Sequence, residues 1–266
     1  MDWCNDPLLT YIKSFGYNAV RLPRADVKAL QIWALQAHDL HYLGELTTLL
    51  VTGSSIPLPT IIYGTQAANF SGQRSSDLSI GIGISLLGSI LGAMGGSKLG
   101  LDGKYQQAKT IAFEFHDVLE DRVELAKLDQ YLADADVNPF SVHVGALLEA
   151  SELFVTMATI KSHKFTVEAK KADRTGLSLS VPDIQGAVGG NVKVSCQTSV
   201  TSRLTYEGQT PLVFGFQAVR LFYDQGRYTA FEPLPPSVGL RALANVQNDG
   251  TQRLMKEEPF VRLHMG

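Results

Sequence analysis

The sequence predicts an α+β fold, a twisted and mostly antiparallel central sheet with helices packed around it. Three observations carry this. Four stretches alternate apolar with small or polar residues at a period of two, the mark of strands wetted on one face. Helix start and stop signals bound only a few segments between them. The 266 residues, 45% of them apolar, suffice for a sizeable core.

The chain opens MDWCNDPLLTYIKSFGYN. Asp6 is suited to cap a helix because its carboxylate accepts backbone N–H groups that have no intrahelical partner. Pro7 fits the first helical position, Leu8, Leu9, Ile12 and Phe15 recur at helical spacing, and Gly16 suits the left-handed stop. Cys4 is thus held near the body by an anchored helix. AVRLPR then reads as a short strand. Residues 25–46 read as a helix with Ala29, Ile32, Leu35 and His38 on one stripe, and TTLLVTGSSIPLPTIIYG switches to strand and turn chemistry. The clearest helix covers 117–136, where Val118, Leu119, Val123, Leu125, Leu128 and Leu132 form an apolar face and Asn138 and Pro139 stop it. FSVHVGALLEASELFVTMATI begins a long β-rich stretch. Pro233, Pro235 and Pro236 mark a break, GLRALANVQ a short segment, residues 248–250 a turn or exposed linker, and TQRLMKEEPFVRLHMG the tail.

In the alternating stretches Leu78, Ile80, Ile82, Ile84 and Leu86 face away from Ser79, Gly81, Gly83 and Ser85. Tyr105, Ile111, Phe113 and Phe115 share one parity, as do Phe165, Val167 and Ala169. Leu177, Leu179 and Val181, then Val192, Val194 and Cys196, repeat the pattern. Solvent-facing hairpins explain it, and so does a latent pair of transmembrane β-hairpins. A barrel wall needs about 10 alternating residues per strand, apolar outward. Its open edges must close into a ring, which from one chain requires many copies. Lys161, Lys164, Lys170, Lys171 and Arg174 outnumber Glu168 and Asp173 around the third stretch. That is either a solvated face or an attraction to anionic head groups, worth about 1 kcal/mol per cation.

A net charge of −3 gives no global attraction to nucleic acid. Two cysteines form no disulfide framework, which points to a reducing compartment. No secretory signal, N-myristoylation site or transmembrane helix is expected, so the chain reads as a soluble cytoplasmic protein. GIGISLLG lacks the third glycine of a dinucleotide fingerprint, and GAMGGSKLG fails the spacing of a phosphate loop. His38 and His41 have no third metal ligand in view, and no hydrolase motif is present. The chain does not read as an enzyme.

The leading block, CNDPLLTYIKSFGYNAVRLPRADVKALQ, resembles the N-terminus of bacterial gasdermins. There a cysteine directly precedes an N-D-P helix start, followed by F-G-Y and R-L-P-R. The length, Gly-rich alternating strands and short tail fit the same family along the full chain. The resemblance implies a gasdermin N-domain-like body over 1–247 and an autoinhibitory peptide over 248–266. It implies a soluble monomer without cofactor that a protease encoded nearby activates by removing the tail. The freed body then joins other copies in a large β-barrel in the bacterial inner membrane, killing the phage-infected cell. The lipid-facing strands would carry Leu78, Ile80, Ile82, Ile84, Leu86, Ile111, Phe113, Phe115, Phe165, Val167, Leu177, Leu179, Val192 and Val194. Cys4 matches a palmitoylated cysteine, and a C16 chain represents a gross burial of about 12 kcal/mol.

The tail carries Leu254, Met255, Phe260, Val261 and Leu263, whose docking represents roughly 5–10 kcal/mol gross. A terminal strand that merely completes the sheet is the other reading. The cut lies within 244–255: Asn248, Asp249 and Gly250 form the exposed turn, Asp249 suits a caspase-like protease, Arg253 a trypsin-like one, and Leu254 others. A soluble lipid-binding module whose hairpins line an acyl pocket and never insert is the alternative function, and a Cys4-dependent enzyme a third.

Overall fold

The computed structural model describes residues 7–36, 39–52, 55–196, 202–234, 239–242, 253–255 and 260–264. The helix α1 (Pro7–Lys13) forms where the sequence places it and turns at Gly16, whose φ is 80°. It buries Ile12 beside β1 (Asn18–Arg24). The predicted helix over 25–46 is instead a hairpin, β2 (Gln31–Gln36) and β3 (Asp39–Glu45). The cause is two-sided burial. Ile32 and Ala34 enter one core, while Trp33 enters another and donates its indole N–H to Thr156 Oγ1 at 2.9 Å. A strand apolar on both faces loses the alternation that would identify it. Of the expected stripe, His38 and the side chain of Leu35 lie outside the described residues.

The single turn α2 (Leu46–Leu49), β4 (Leu50–Thr52) and β5 (Ile62–Gln66) follow. The strand expected over 77–88 is only two residues long, β6 (Leu78–Ser79), before the chain becomes α3 (Ile80–Ala93). Leu86, Leu87, Ile90 and Leu91 recur at helical spacing and all are buried, so that stripe carries Ile80, Ile82 and Ile84 into the helix with it. Tyr105 correspondingly ends a second short helix, α4 (Leu101–Tyr105), and extended chain resumes at β7 (Thr110–His116).

The helix predicted over 117–136 is divided. β8 (Leu119–Arg122) is drawn into the sheet by partners on both edges, leaving α5 (Leu125–Asp134), which buries Leu128, Tyr131 and Leu132. β9 (Ala135–Val137) pairs with β4 as a separate small sheet. α6 (Val142–Glu149) opens the stretch expected to be β-rich, and β10 (Leu153–Lys170) then runs unbroken. Leu177 and Leu179 precede a helix, α7 (Val181–Val188), which has Pro182 in its first turn; among the described residues of that stretch only β11 (Val192–Ser195) is a strand. β12 (Arg203–Asp224) and β13 (Arg227–Pro233) complete the body, followed by β14 (Gly239–Ala242), β15 (Arg253–Met255) and β16 (Phe260–His264).

Among the described residues the large sheet runs β11-β12-β1-β14-β15-β16-β3-β2-β10-β7-β6, with β12 and β10 also paired directly. β12 and β10 pair antiparallel along nearly their whole length, from Phe154 opposite Arg220 to Glu168 opposite Arg203. Only the contacts of β14 with β1 and β16, and of β16 with β3, are parallel. The sheet is therefore twisted and mostly antiparallel, an α+β fold as the sequence predicts. Its main core lies between α1, α3, α4 and α7 and one face of β7, β10 and β12. A second core lies under α5 and α6, and a third, around Trp33 and Phe216, on the other sheet face.

Candidate functional site

The alternating stretches converge on one place. Ile111, Phe113 and Phe115 of β7, Phe165 and Val167 of β10, and Leu204 and Tyr206 of β12 all point into the main core. Register sets them in rows: Phe113 opposite Val167 and Phe115 opposite Phe165, and Phe165 in turn opposite Tyr206. The Phe165 and Tyr206 rings stack with centroids 5.3 Å apart. Leu78, Leu86, Leu177, Leu179 and Val192 are buried in the same core, and Ile80, Ile82, Ile84 and Val194 pack against it half-buried. The set singled out by parity thus belongs to the main core, beneath α1, α3, α4 and α7.

The opposite face of these strands is polar and laddered. Arg203 pairs with Glu114, and Arg74 pairs with Asp77 and, at 2.9 Å, with Glu168. Thr166 shares hydrogen bonds with Thr205 at 2.8 Å and with His116 Nε2 at 2.7 Å. Burial holds the His116 imidazole below its ordinary pKa, against the pull of nearby Glu114. At the rim, Tyr17 donates to Glu120, and burial, reinforced by that carboxylate, pushes the Tyr17 hydroxyl up. One polar face and one apolar face on these stretches is the arrangement that alternation demands.

The covering helices are weakly built. α3 reads IGIGISLLGSILGA, with four glycines, each about 1 kcal/mol poorer than alanine in a helix interior. Its β-branched isoleucines also lose rotamer freedom there. Gly83 has a packing reason, since a Cβ there would lie 2.9 Å from the Ile111 side chain. Gly81 and Gly92 face open space. A buried hydroxyl pair, Tyr105 and Tyr206 at 2.7 Å, fastens α4 to β12. Leu99, in the loop between α3 and α4, is 80% exposed.

The tail enters the sheet as backbone. Leu254 pairs with Leu40 of β3 and with Ala242 of β14, Met255 with Asp39, and Phe260 and Val261 with Gly239 and Leu240. Leu263 lies within β16 and Arg253 opposite His41. Cys4, Asn248, Asp249 and Gly250 lie outside the described residues. The strap over 67–77 that runs along β7 has no periodic pattern to mark it in the sequence. Phe70 is buried beside Tyr11 and Phe214, and the Ser75 hydroxyl accepts the Phe113 N–H at 3.0 Å. A lone Phe among polar residues, FSGQRSSD, was the available signal. Tyr206 is marked more faintly, by LTY continuing the period of two.

Among the described residues no three His, Cys, Asp or Glu side chains gather as metal ligands. No described helix is long and apolar enough to cross a membrane, a statement that does not bear on strands.

The sequence model of the Bacterial Gasdermin Family matches residues 20–227. A protein named Gasdermin bGSDM from a Desulfuromonadales bacterium is 63% identical over 262 residues, 98% of each chain. Gasdermin bGSDM of Lysobacter enzymogenes is 41% identical over 226 residues, 85% of this chain and 83% of that one. Among solved structures, a bacterial gasdermin from Bradyrhizobium tropiciagri superposes with a TM-score of 0.61 over 98% of both chains at 14% identity, a likeness of fold.

Proposed function

This chain belongs to the bacterial gasdermin family, and from that premise we propose that it is a latent pore-forming protein. The observation that carries the reading is a conflict between sequence and fold. Residues 78–86 alternate as a membrane strand would, yet most of them lie in a glycine-rich helix over a core made of the same parity. A bilayer offers those apolar residues an equivalent solvent, provided the strands pair and close. The resting fold stores them against one another.

In this reading residues 1–247 form the pore-forming body and 248–266 the inhibitor. The tail supplies strands to the sheet while tethered, and re-docks at high effective concentration. A protease that cuts within 244–255, caspase-like at Asp249 or trypsin-like at Arg253, ends that advantage. The body then assembles with other copies on membrane lipid and permeabilises the inner membrane of the phage-infected cell. A palmitoyl chain on Cys4 assists insertion; one acyl chain alone anchors only reversibly.

Expression of residues 1–247 in bacteria tests the inhibitor role. The truncated chain is expected to arrest growth and admit propidium iodide, while the full chain does neither. Healthy cells filled with soluble 1–247 would contradict it. Ile82→Asp, half-buried in the fold but lipid-facing in the pore, is expected to abolish the killing.

A further inference from the structure

We propose that the strand registers already present in the resting sheet are those of the membrane-spanning sheet, so that its two hairpins close at Met94 and Gly95 and at Gln185 and Gly186. The inference rests on the pore-forming reading. It follows from three registers observed on different strand pairs.

β6 meets β7 with Leu78 opposite Ile111 and Ser79 opposite Thr110. Stepping equally along both arms sets Ile84 opposite Tyr105 and Ile90 opposite Leu99, and the arms meet at Met94 and Gly95. β10 meets β12 with Lys164 opposite Glu207 through Glu168 opposite Arg203. The same stepping sets Ser178 opposite Lys193, and those arms meet at Gln185 and Gly186. The third register, β7 against β10, has Thr110 opposite Lys170. Extended, it places Gly95 beside Gln185. Both turns therefore reach the same height, although each register is fixed far from them. Each turn carries glycine at its second position, and Gly95 already has a φ of 80°.

The face continuing from Leu78 and Ile111 then reads as a membrane surface. One level holds Leu86, Leu177 and Val194; the next holds Leu101, Leu179 and Val192. Below them Ile90 and Leu99 face Val181, which gives the exposed Leu99 side chain a role it lacks in the resting fold. Charge on this face is confined to Lys109, Lys171 and Asp173 at one end and Asp183 near the turns. Roughly ten residues separate the two ends, about 30 Å of strand, which matches the hydrocarbon core. The other face carries Lys98, Asp102, Asn191 and Lys193.

Two resting pairings contradict this register. Lys170 bridges Gly176 across a turn that must open for β10 to run on. β11 lies against β12 with Lys193 opposite Glu207 and Val194 opposite Tyr206. It must leave that edge and pair Lys193 with Ser178 instead. Because β11 ends the resting sheet on the β12 side and β6 ends it on the other, its departure frees the β12 edge for the β6 edge of a second copy.

Cysteine cross-linking reads the exchange. On a Cys196→Ala background, Lys193→Cys is combined with Glu207→Cys, Ser178→Cys or Ser180→Cys. The intact chain is oxidised in solution and the cleaved chain on phosphatidylethanolamine and phosphatidylglycerol vesicles that leak dye. The 193–207 link is expected in the intact chain and to fall at least tenfold in leaky vesicles, where 193–178 replaces it. Persistence of 193–207 in leaky vesicles, or preference for Ser180→Cys, overturns the register while leaving the pore intact. Vesicles that never leak overturn the pore reading and the register with it. Should the Glu207 variant fail to fold, Ser85→Cys with Lys104→Cys reads the first hairpin, and a preference for Asp102→Cys or Gln106→Cys overturns it.

Discussion

Alanine placed at different glycines of α3 is expected to move the protein in opposite directions. At Gly81 and Gly92 an added Cβ meets nothing within 4 Å, so alanine gains helix propensity without a clash. Each substitution contributes about 0.5–1 kcal/mol to the helix, and the pair about 1–2 kcal/mol. At Gly83 the Cβ would come within 2.9 Å of Ile111, a buried strand side chain with nowhere to withdraw. Overpacking of that kind costs about 1–3 kcal/mol. If α3 must unwind before its strand inserts, the resting gain adds to the activation barrier. The Gly81→Ala/Gly92→Ala protein is then expected to melt a few degrees higher. Its dye release after cleavage is expected to slow about 5–30-fold. Gly83→Ala is expected to melt lower and release faster. Calorimetry on the intact chain and stopped-flow release on the cleaved one measure both quantities. A raised melting temperature with an unchanged release rate would refute the claim that α3 unwinds on the way to the pore.

The Tyr105 and Tyr206 hydroxyls give a second test. Tyr206→Phe leaves a buried hydroxyl unpaired and is expected to destabilise the fold by about 1–3 kcal/mol, whereas the double Phe variant is expected to lie near the wild type. Urea unfolding of the three variants distinguishes this from a simple loss of packing. His116 sets a pH dependence. Its folded pKa lies below the ordinary value because of burial, so the unfolded chain takes up the proton first as pH falls. Stability from this group is full above about pH 6.5 and declines below it. His116→Gln is expected to flatten that part of a melting-temperature profile, and an unchanged slope would assign it to other groups. Phe113→Asp is expected to leave no folded protein, since Phe113 is fully buried, and its expression as a soluble monomer would contradict the packing described.

Legibility in the sequence followed burial. α1 was readable because Asp6, Pro7 and Gly16 signal it together in the sequence, and β7 and the second half of β10 because one side of each is apolar and the other mostly polar. β2 was not, because Trp33 and Ile32 are buried on opposite sides. α3 carries two periods at once, strand-like over Ile80, Ile82 and Ile84 and helical over Leu86, Leu87, Ile90 and Leu91. The resting fold adopts the second. The parity set was legible, and the structure gathers it into one core. What fastens that core was not: Tyr105 with Tyr206, and Arg74 with Glu168, are distant in sequence and typical of no motif. The tail strands pair through backbone, which side-chain pattern does not reveal.

The most direct test of the latent pore is dye release from vesicles of bacterial lipid, with a protease site engineered between Asn248 and Leu254. Size-graded dextrans are followed with intact and cleaved protein. Release of large dextrans only after cleavage is the predicted result. Silence in both states, with cleavage verified, would contradict it and favour a soluble lipid-binding module whose apolar rows never leave the fold.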